Sequence, residues 1–399
     1  MARVDVNDNV FTASWHKITP ENYSSSHSDS SYRSIILSNM SKPISSYKIQ
    51  DLSQINENWD SSKITKDAND KSTETDTKRI DHSSCSRSEG AEKIHPIVNS
   101  LQKVGNCLGT SLDTFQQDND VVLKLVAEYI KSGKCHNVIC LTGAGISTSA
   151  GIPDFRSPKT GMYATLADKH PELGEPEDIF SISFFRENPT PFLKLTKELM
   201  QLPGEERYKP TPSHYFIKHL SDRGLLLRIY TQNIDGLERK AGIPEEKLIE
   251  AHGSFDRAHC ISRECLKVYS KEHIQDLIKR DIVPTCSECN ELVKPDIVLF
   301  GESLPERFFE CIDQDFEICD MLIIMGTSLE VQPFVSLVKA VREECPVLFM
   351  NMVNSAPWIF KQPLENYRFE GANRKVFWQG DCDNGCTQLE QLMGWKMEG

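Results

Sequence analysis

The sequence predicts an α/β fold: a doubly wound, mostly parallel sheet with a smaller module set into it. Three observations carry this. Short runs that are apolar throughout recur from Val138 onward, the pattern of strands buried on both faces. Helix-patterned segments separate several of them, so the connections read as crossovers. Polar residues or glycine follow the carboxyl ends of five runs, at Gly143, Gln232, Gly326, Asn351 and Asp381, and ligands of such sheets bind outside those ends.

The folded part is expected to begin near Asn119. Val122, Leu125, Val126, Tyr129 and Ile130 recur at helical spacing, which gives one apolar helix face, and Gly133 ends that helix. Val138–Thr142 is the first strand. Residues 157–201 read as a loop and then helices, broken at Pro158, Pro171, Pro176 and Pro189. Leu225–Tyr230 is the second strand and runs into Thr231-Gln-Asn-Ile-Asp235. Asp296–Phe300, Met321–Met325, Val347–Met350 and Lys375–Trp378 are the third to sixth, the last ending near Asp381 and Cys382.

Residues 1–100 contain 21 Ser, many Asn, Asp and Lys, and only minute apolar clusters such as Ile35–Leu37. Such a segment cannot bury enough surface to offset its ordering entropy. Residues 1–115 are therefore expected to be a disordered tail and 116–399 the folded domain. The net charge of −13 counts against a nucleic-acid binder and suits basic partners such as lysine-rich peptides. No run of 18 apolar residues occurs, so no membrane span is expected. The N-terminus has no apolar leader core, and Asp5, Asp8 and Glu21 argue against a transit peptide. A cytoplasmic protein is expected, with nuclear entry left open. The 13 Cys, without a secretion signal, point to free thiols or metal ligands rather than disulfides.

The run Gly143-Ala-Gly-Ile-Ser-Thr-Ser-Ala-Gly-Ile-Pro-Asp-Phe-Arg-Ser157 follows the first strand. A buried strand feeding such a turn brings bare backbone up to a phosphate, and Asp154 and Arg156 stand close behind for a ribose or substrate. A strict dinucleotide fingerprint fails: Thr148 stands where the third glycine belongs, and the acid expected about 20 residues on falls near Asp168, in a proline-bounded loop. Hydride transfer is therefore a poor reading, and a purely structural tight turn is its bland competitor.

Cys260-x4-Cys265 and, twenty residues on, Cys286-x2-Cys289 have the spacing of a tetrahedral zinc site, which four thiolates would make structural rather than catalytic. Thr231–Asp235 at a strand end can hold ribose hydroxyls and a carboxamide. Glu250-Ala-His-Gly253 follows. A lone His beside a Gly is more often structural than catalytic, so His252 as a general base rests on its context. Cys135, Cys140, Cys311, Cys319 and Cys345 read as core thiols; Cys382 stands apart at the end of the last strand.

Together these residues resemble the sirtuins, the NAD-dependent protein-lysine deacylases, over about residues 119–399. GAGISTSAGIPDFRS at 143–157, TQNID at 231–235, HG at 252–253, the paired cysteines, KPDIVLFGESLP at 294–305 and GTSL at 326–329 stand in the family's order. The spacing from Cys260 to Cys265 and GESLPERFF at 301–309 resemble its animal cytosolic branch.

The resemblance implies a large Rossmann-like domain. It also implies a small one, made of the zinc module (about 254–295) and a helical and cofactor-loop insertion (about 157–205). NAD is the implied co-substrate, with one structural Zn2+. In the implied reaction the acyl oxygen attacks the nicotinamide ribose C1′; a ribose hydroxyl, deprotonated by His252, then attacks the resulting imidate. Carried over, Asn233 and Asp235 join His252 as catalytic residues that orient the ribose and carboxamide, with Gln232 and Ile234 beside them. Ala144, Gly145, Ile146, Ser147 and Thr148 fall at the phosphates, and Asp154, Phe155 and Arg156 around the nicotinamide. Thr327 and Ser328 fall on the phosphate–ribose side, and Asn351, Met352, Val353 and Cys382 at the adenosine end. Val298, Leu299, Phe300, Gly301 and Glu302 are implied to take the acyl-lysine peptide, Gly301 and Glu302 pairing with it as a β-strand. Two positions depart from the family: Val353 replaces an acid common at the adenine ribose, and Leu299 replaces an aromatic. The implied partners are acyl-lysine proteins, histones and tubulin among them, bound by a monomer that engages neither nucleic acid nor membrane. Long-chain deacylation, protein ADP-ribosylation in the same cleft, and a non-catalytic NAD-binding scaffold are the alternatives.

Overall fold

The computed structural model describes residues 112–169, 173–199, 207–357, 359, 360 and 374–395; the expected tail falls almost wholly outside them. Helix α1 is Leu112–Lys131. Its core face is Val122, Leu123, Val126, Ala127 and Ile130, so the apolar stripe lies one residue over from the expected one, with Leu125 and Tyr129 at its margin. Gly133, at φ +74°, turns the chain out of the helix.

Strand β1 is Val138–Thr142. The insertion that follows carries α2 (Met162–Lys169), α3 (Ile182–Glu187) and α4 (Thr190–Leu199), so the neighbourhood of Asp168 is helical rather than loop. Helix α5 (Pro212–Asp222) begins with Pro at its first position behind Thr211, where a missing N–H costs nothing. Next come β2 (Leu226–Thr231), β3 (Leu248–Glu250), β4 (Gly253–Cys260), β5 (Val268–Ser270), α6 (Lys271–Lys279) and β6 (Val293–Ile297). Helix α7 (Glu306–Ile318), β7 (Met321–Met325), β8 (Val347–Asn351), β9 (Lys375–Gln379) and α8 (Cys382–Met393) follow.

Six strands form one parallel sheet in the order β3-β2-β1-β7-β8-β9. The order reverses between β1 and β7, the switch point where such sheets bind ligands. The strands read as continuous apolar runs because both faces are covered. Cys140, Ile229, Ile323 and Leu348 pack under α1, α5 and α8; Ile139, Leu141, Tyr230, Ile324 and Phe349 pack under α7 and the turn Phe334–Lys339.

One expected strand belongs elsewhere. Asp296–Phe300 is not the third strand of this sheet: the strand there is β6, shifted three residues towards the N-terminus, in a separate antiparallel sheet ordered β5-β4-β6. The vacant place is taken by β3, whose Leu-Ile-Glu is too short to read as an apolar run. β6 was obscured by Lys294 and Pro295, both buried. Lys294 is accommodated because its Nζ donates to the carbonyls of Pro295, at 3.0 Å, and Ile297, at 2.5 Å, and meets Glu302 at 3.1 Å.

The antiparallel sheet, α6 and the insertion helices share one core: Phe185, Phe192 and Leu195 pack with Ala258, Ile274 and Ile297. The small module and the insertion are therefore one body, as the family resemblance implied.

The two halves of the parallel sheet meet through glycine. The Gly145 N–H donates to the Gly326 carbonyl at 2.8 Å. A Cβ built on Gly145 would stand 2.6 Å from Gly326 Cα, and one on Gly326 2.6 Å from Ile146 N. Gly326 also sits at φ +61°, in the region that other L-residues rarely adopt. Gly326→Ala should therefore cost roughly 1–3 kcal/mol from its backbone conformation alone, with the clash added. The check is thermal unfolding, where a drop on the order of 5 °C or more is expected.

Candidate active site

A cleft of about 440 Å³ opens at this switch point, within the range of small-ligand sites. The ends of β1, β2, β7 and β8 form its floor. Ala144, Gly145, Thr148, Gln232, Asn233, Ile234, Thr327, Ser328, Asn351, Met352, Val353 and Cys382 all line it, as do Asp154, Phe155, Arg156 and His252. Residues over 200 positions apart in the chain are thus brought to one surface.

The other candidates lie elsewhere. Ile146 is in the core beside β1 and α5. Ser147 is fully buried, its hydroxyl donating to Asp235 at 2.8 Å, and neither lines the cleft. Leu299 is 0% exposed and packs into the small module's core, facing away from the cleft. Val298 and Phe300 line it; Gly301 and Glu302 do not.

The backbone of 298–302 is already engaged. Val298 N–H donates to the His252 carbonyl, Phe300 N–H to Phe180, and Glu302 N–H to Leu299. The Leu299 N–H donates to the Glu302 carboxylate at 2.8 Å. Glu302 therefore braces the segment from inside.

The glycine turn also differs from a fan of free donors. The N–H groups of Gly143, Gly145, Ile146 and Ser147 donate to Met325, Gly326, Gly143 and Ala144. What the turn supplies is close approach to main chain. Behind it, Asp154 shapes its own loop by accepting the N–H groups of Arg156 and Ser157 at 2.9 and 2.6 Å. Arg156 pairs with Glu330 at 2.9 Å and lies over the Tyr163 ring. Phe155, Tyr163 and Phe180 form an aromatic wall with centroids 5.7 to 6.4 Å apart. Tyr163 and Phe180 were not identified from sequence, where they look like ordinary core aromatics of the insertion; only their contact with Phe155 places them at the cleft.

On the far side, Thr327 bridges three strand ends. Its hydroxyl donates to Gln232 at 2.7 Å and its carbonyl accepts from Asn351 at 3.2 Å. Burial, with Asp381 and Asp383 nearby, pushes the Cys382 thiol up to about 12, so it stays protonated and unreactive.

His252 sits in the turn between β3 and β4. Gly253, at φ +75°, would place a Cβ 1.8 Å from the Asp296 carbonyl, so glycine is required for β4 to pair with β6 directly after the histidine. Burial lowers the His252 pKa to about 4, opposed by a hydrogen bond with the Gln232 backbone and assisted by Arg156. The imidazole is therefore neutral at pH 7, as a base must be. Burial also lowers His214, on α5, to about 4.

In the small module, Cys260, Cys265, Cys286 and Cys289 bring their sulfurs within 4.8 Å of one another. Cys260–Cys289 and Cys265–Cys286 are 3.4 and 3.6 Å apart. A tetrahedron of Zn–S bonds about 2.3 Å long has edges of about 3.8 Å, so the set fits. The Tyr269 hydroxyl and Glu288 N–H point at the Cys286 sulfur, donors suited to a thiolate.

These features define the class. The Sir2 family model matches residues 143–333, and the chain belongs to that family. It is 51% identical over 286 residues to the NAD-dependent protein deacetylase sirtuin-2 of Danio rerio, covering 70% of this chain and 74% of that protein. It is 44% identical over 282 residues to the NAD-dependent protein deacetylase hst2 of Schizosaccharomyces pombe, covering 70% and 79%. The similarity to mouse NAD-dependent protein deacetylase sirtuin-3 is 45% over 276 residues, covering 69% and 77%.

Two outcomes are expected. Cys286→Ser should lower bound zinc well below one per chain by elemental analysis and lower the melting temperature, since a structural zinc contributes folding energy directly. His252 and His214 are neutral in the fold down to about pH 4 but titrate near 6.5 when unfolded, so the unfolded chain binds more protons between those values. Their contribution is full above pH 6.5 and is lost as pH falls towards 4. Urea unfolding between pH 7 and 4.5 should show stability falling, with a shallower slope in the His252→Gln, His214→Gln double variant.

Proposed function

We propose that this chain is an NAD-dependent protein-lysine deacetylase, residues 116–399 forming the catalytic domain. The observation that carries the reading is a neutral, buried His252 in the same cleft as the glycine switch point and Asn233. NAD, when bound, supplies the ribose that accepts the acyl group, so the products are free lysine, nicotinamide and an O-acyl-ADP-ribose. The glycines of the turn let the pyrophosphate lie against main chain. Asn233, whose amide nitrogen is bonded to the Gly143 carbonyl at 3.2 Å, presents its amide oxygen to the ribose. His252 takes the ribose hydroxyl proton, a transfer that suits a neutral imidazole. Phe155, Tyr163 and Phe180 keep water from the reacting carbon.

The substrates are acyl-lysine proteins, with histones and tubulin the first to test, and acyl chains longer than acetyl are compatible with the apolar wall. Val353 is 65% exposed at the cleft mouth and has no group to hold a ribose hydroxyl. Cytoplasmic residence and a monomeric state complete the proposal. Among the described residues no helix is long and apolar enough to cross a membrane.

Mass spectrometry of NAD reactions with acetyl-lysine and myristoyl-lysine peptides tests it. Nicotinamide and O-acyl-ADP-ribose should form in equal amounts, and His252→Ala should lower the rate by on the order of 10²–10⁴-fold. ADP-ribose appearing on protein while the peptide stays acylated would instead establish a transferase, and NAD binding without either product a scaffold.

A further inference from the structure

Under the cleft floor, buried hydrogen bonds reach Asn233 from two directions. Thr231, fully buried, uses its hydroxyl twice: it accepts the Asn233 N–H at 3.0 Å and donates to Glu238 Oε1 at 2.6 Å. On the other side Asn233 Nδ2 donates to the Gly143 carbonyl at 3.2 Å and, at 3.4 Å, to the Ser147 hydroxyl. That hydroxyl donates to Asp235 Oδ2, whose other oxygen takes the Leu237 N–H at 2.9 Å. Main chain and side chain of Asn233 are thus held separately, and both routes end on an acid.

We infer that Glu238 is a positioning residue for Asn233, acting through Thr231, with Ser147 and Asp235 completing the same brace. This rests on the function proposed above, which gives Asn233 the ribose.

The case is made by what Glu238 is and where it sits. It is 1% exposed, on the single turn Leu237–Lys240. A buried carboxylate is costly unless paired. The charged groups facing this site are Asp235 and Glu250, with Lys240 towards Asp235. Arg239 is committed to Glu250 at 2.7 Å. His214 approaches both acids within 4.8 Å, its Nδ1 accepts the Thr211 N–H at 3.2 Å, and Asp383 acts on it electrostatically. Burial and the neighbouring Asp235 push Glu238 upward, so the uncharged carboxyl is the form that fits. Such a group contributes to stability poorly, and a leucine would fill the space better. What leucine cannot do is accept the Thr231 proton, and without that acceptor the Thr231 hydroxyl is free to turn from its place under the Asn233 N–H. The same layer reaches the glycine turn, since the Thr211 hydroxyl donates to the Ile146 carbonyl at 2.8 Å.

The test uses the full chain, an acetyl-lysine peptide and NAD, with kcat, both KM values and the calorimetric NAD Kd read per folded molecule. Glu238→Met should lower kcat/KM for NAD by on the order of 10–100-fold, the scale of a misplaced reacting group, and leave the peptide KM unchanged. Glu238→Gln keeps an acceptor oxygen and should restore most of the loss. Thr231→Val should reproduce the Met defect, and serves if the Met variant does not fold. A Gln variant as impaired as Met, or wild-type NAD kinetics in both Met and Val variants, overturns the inference. A wild type that releases no nicotinamide overturns the deacetylase reading instead; an unchanged NAD Kd across the same variants would then overturn the brace as well.

Discussion

The contact between the turn after β1 and the turn after β7 is the constraint on which the rest depends. At the switch point of a doubly wound sheet the crossovers leave in opposite directions and a crevice opens. Here two main chains close its base, Gly145 against Gly326, with no room for a Cβ on either. Any side chain would push β1 and β7 apart at their carboxyl ends and break the Gly143–Met325 and Gly145–Gly326 hydrogen bonds. Because the Gly143 and Gly145 N–H groups are used in that closure, much of what the turn offers a nucleotide is proximity to backbone. That suits a reaction in which positive character develops on the ribose, since no cation need sit at the phosphates.

Burial acts on several titratable groups in and beneath the cleft. Burial makes His252 neutral, keeps the Cys382 thiol protonated and raises Asp235 and Glu238. Arg156, the one Lys or Arg among the described residues that line the cleft, is committed to Glu330. Desolvation is the first cause in each titrating case, so the environment rather than particular ion pairs sets the protonation states. A neutral His252 and an Asn233 amide held in place are obtained mainly from packing and hydrogen bonds.

The parts of this arrangement carried by short contiguous runs were legible in the sequence. β1, β7 and β8 are apolar throughout because both their faces are covered, and the glycine run, Thr231–Asp235 and the four cysteines announce themselves by spacing. Two kinds of feature were hidden. β3 is three residues long and β6 contains Lys294 and Pro295, so neither carries a strand's apolar signal, although Lys294 is satisfied by carbonyls that only the folded chain brings to it. The second kind is orientation. Leu299 and Phe300 are adjacent, yet one points into the module core and the other into the cleft, because strand-like backbone alternates its faces. Glu302 likewise turns inward to Lys294, which no local pattern encodes.

The small module, far from the cleft floor by sequence, is tied directly to His252. β4 starts one residue after His252 and pairs with β6 at Gly253 and Ile297. The His252 carbonyl accepts the Val298 N–H just beyond that strand. Both ends of the histidine's segment are thus fixed by ladders, β3 to β2 on one side and β4 to β6 on the other. The same β4 ends on Cys260, and β6 begins four residues after Cys289. A metal held by the four thiols clamps the distal ends of those two strands, and through their pairing it holds the turn that carries His252. A closed zinc site can therefore govern the position of His252, which it never touches, because the stiffness of two paired strands carries the constraint from one end of the module to the other.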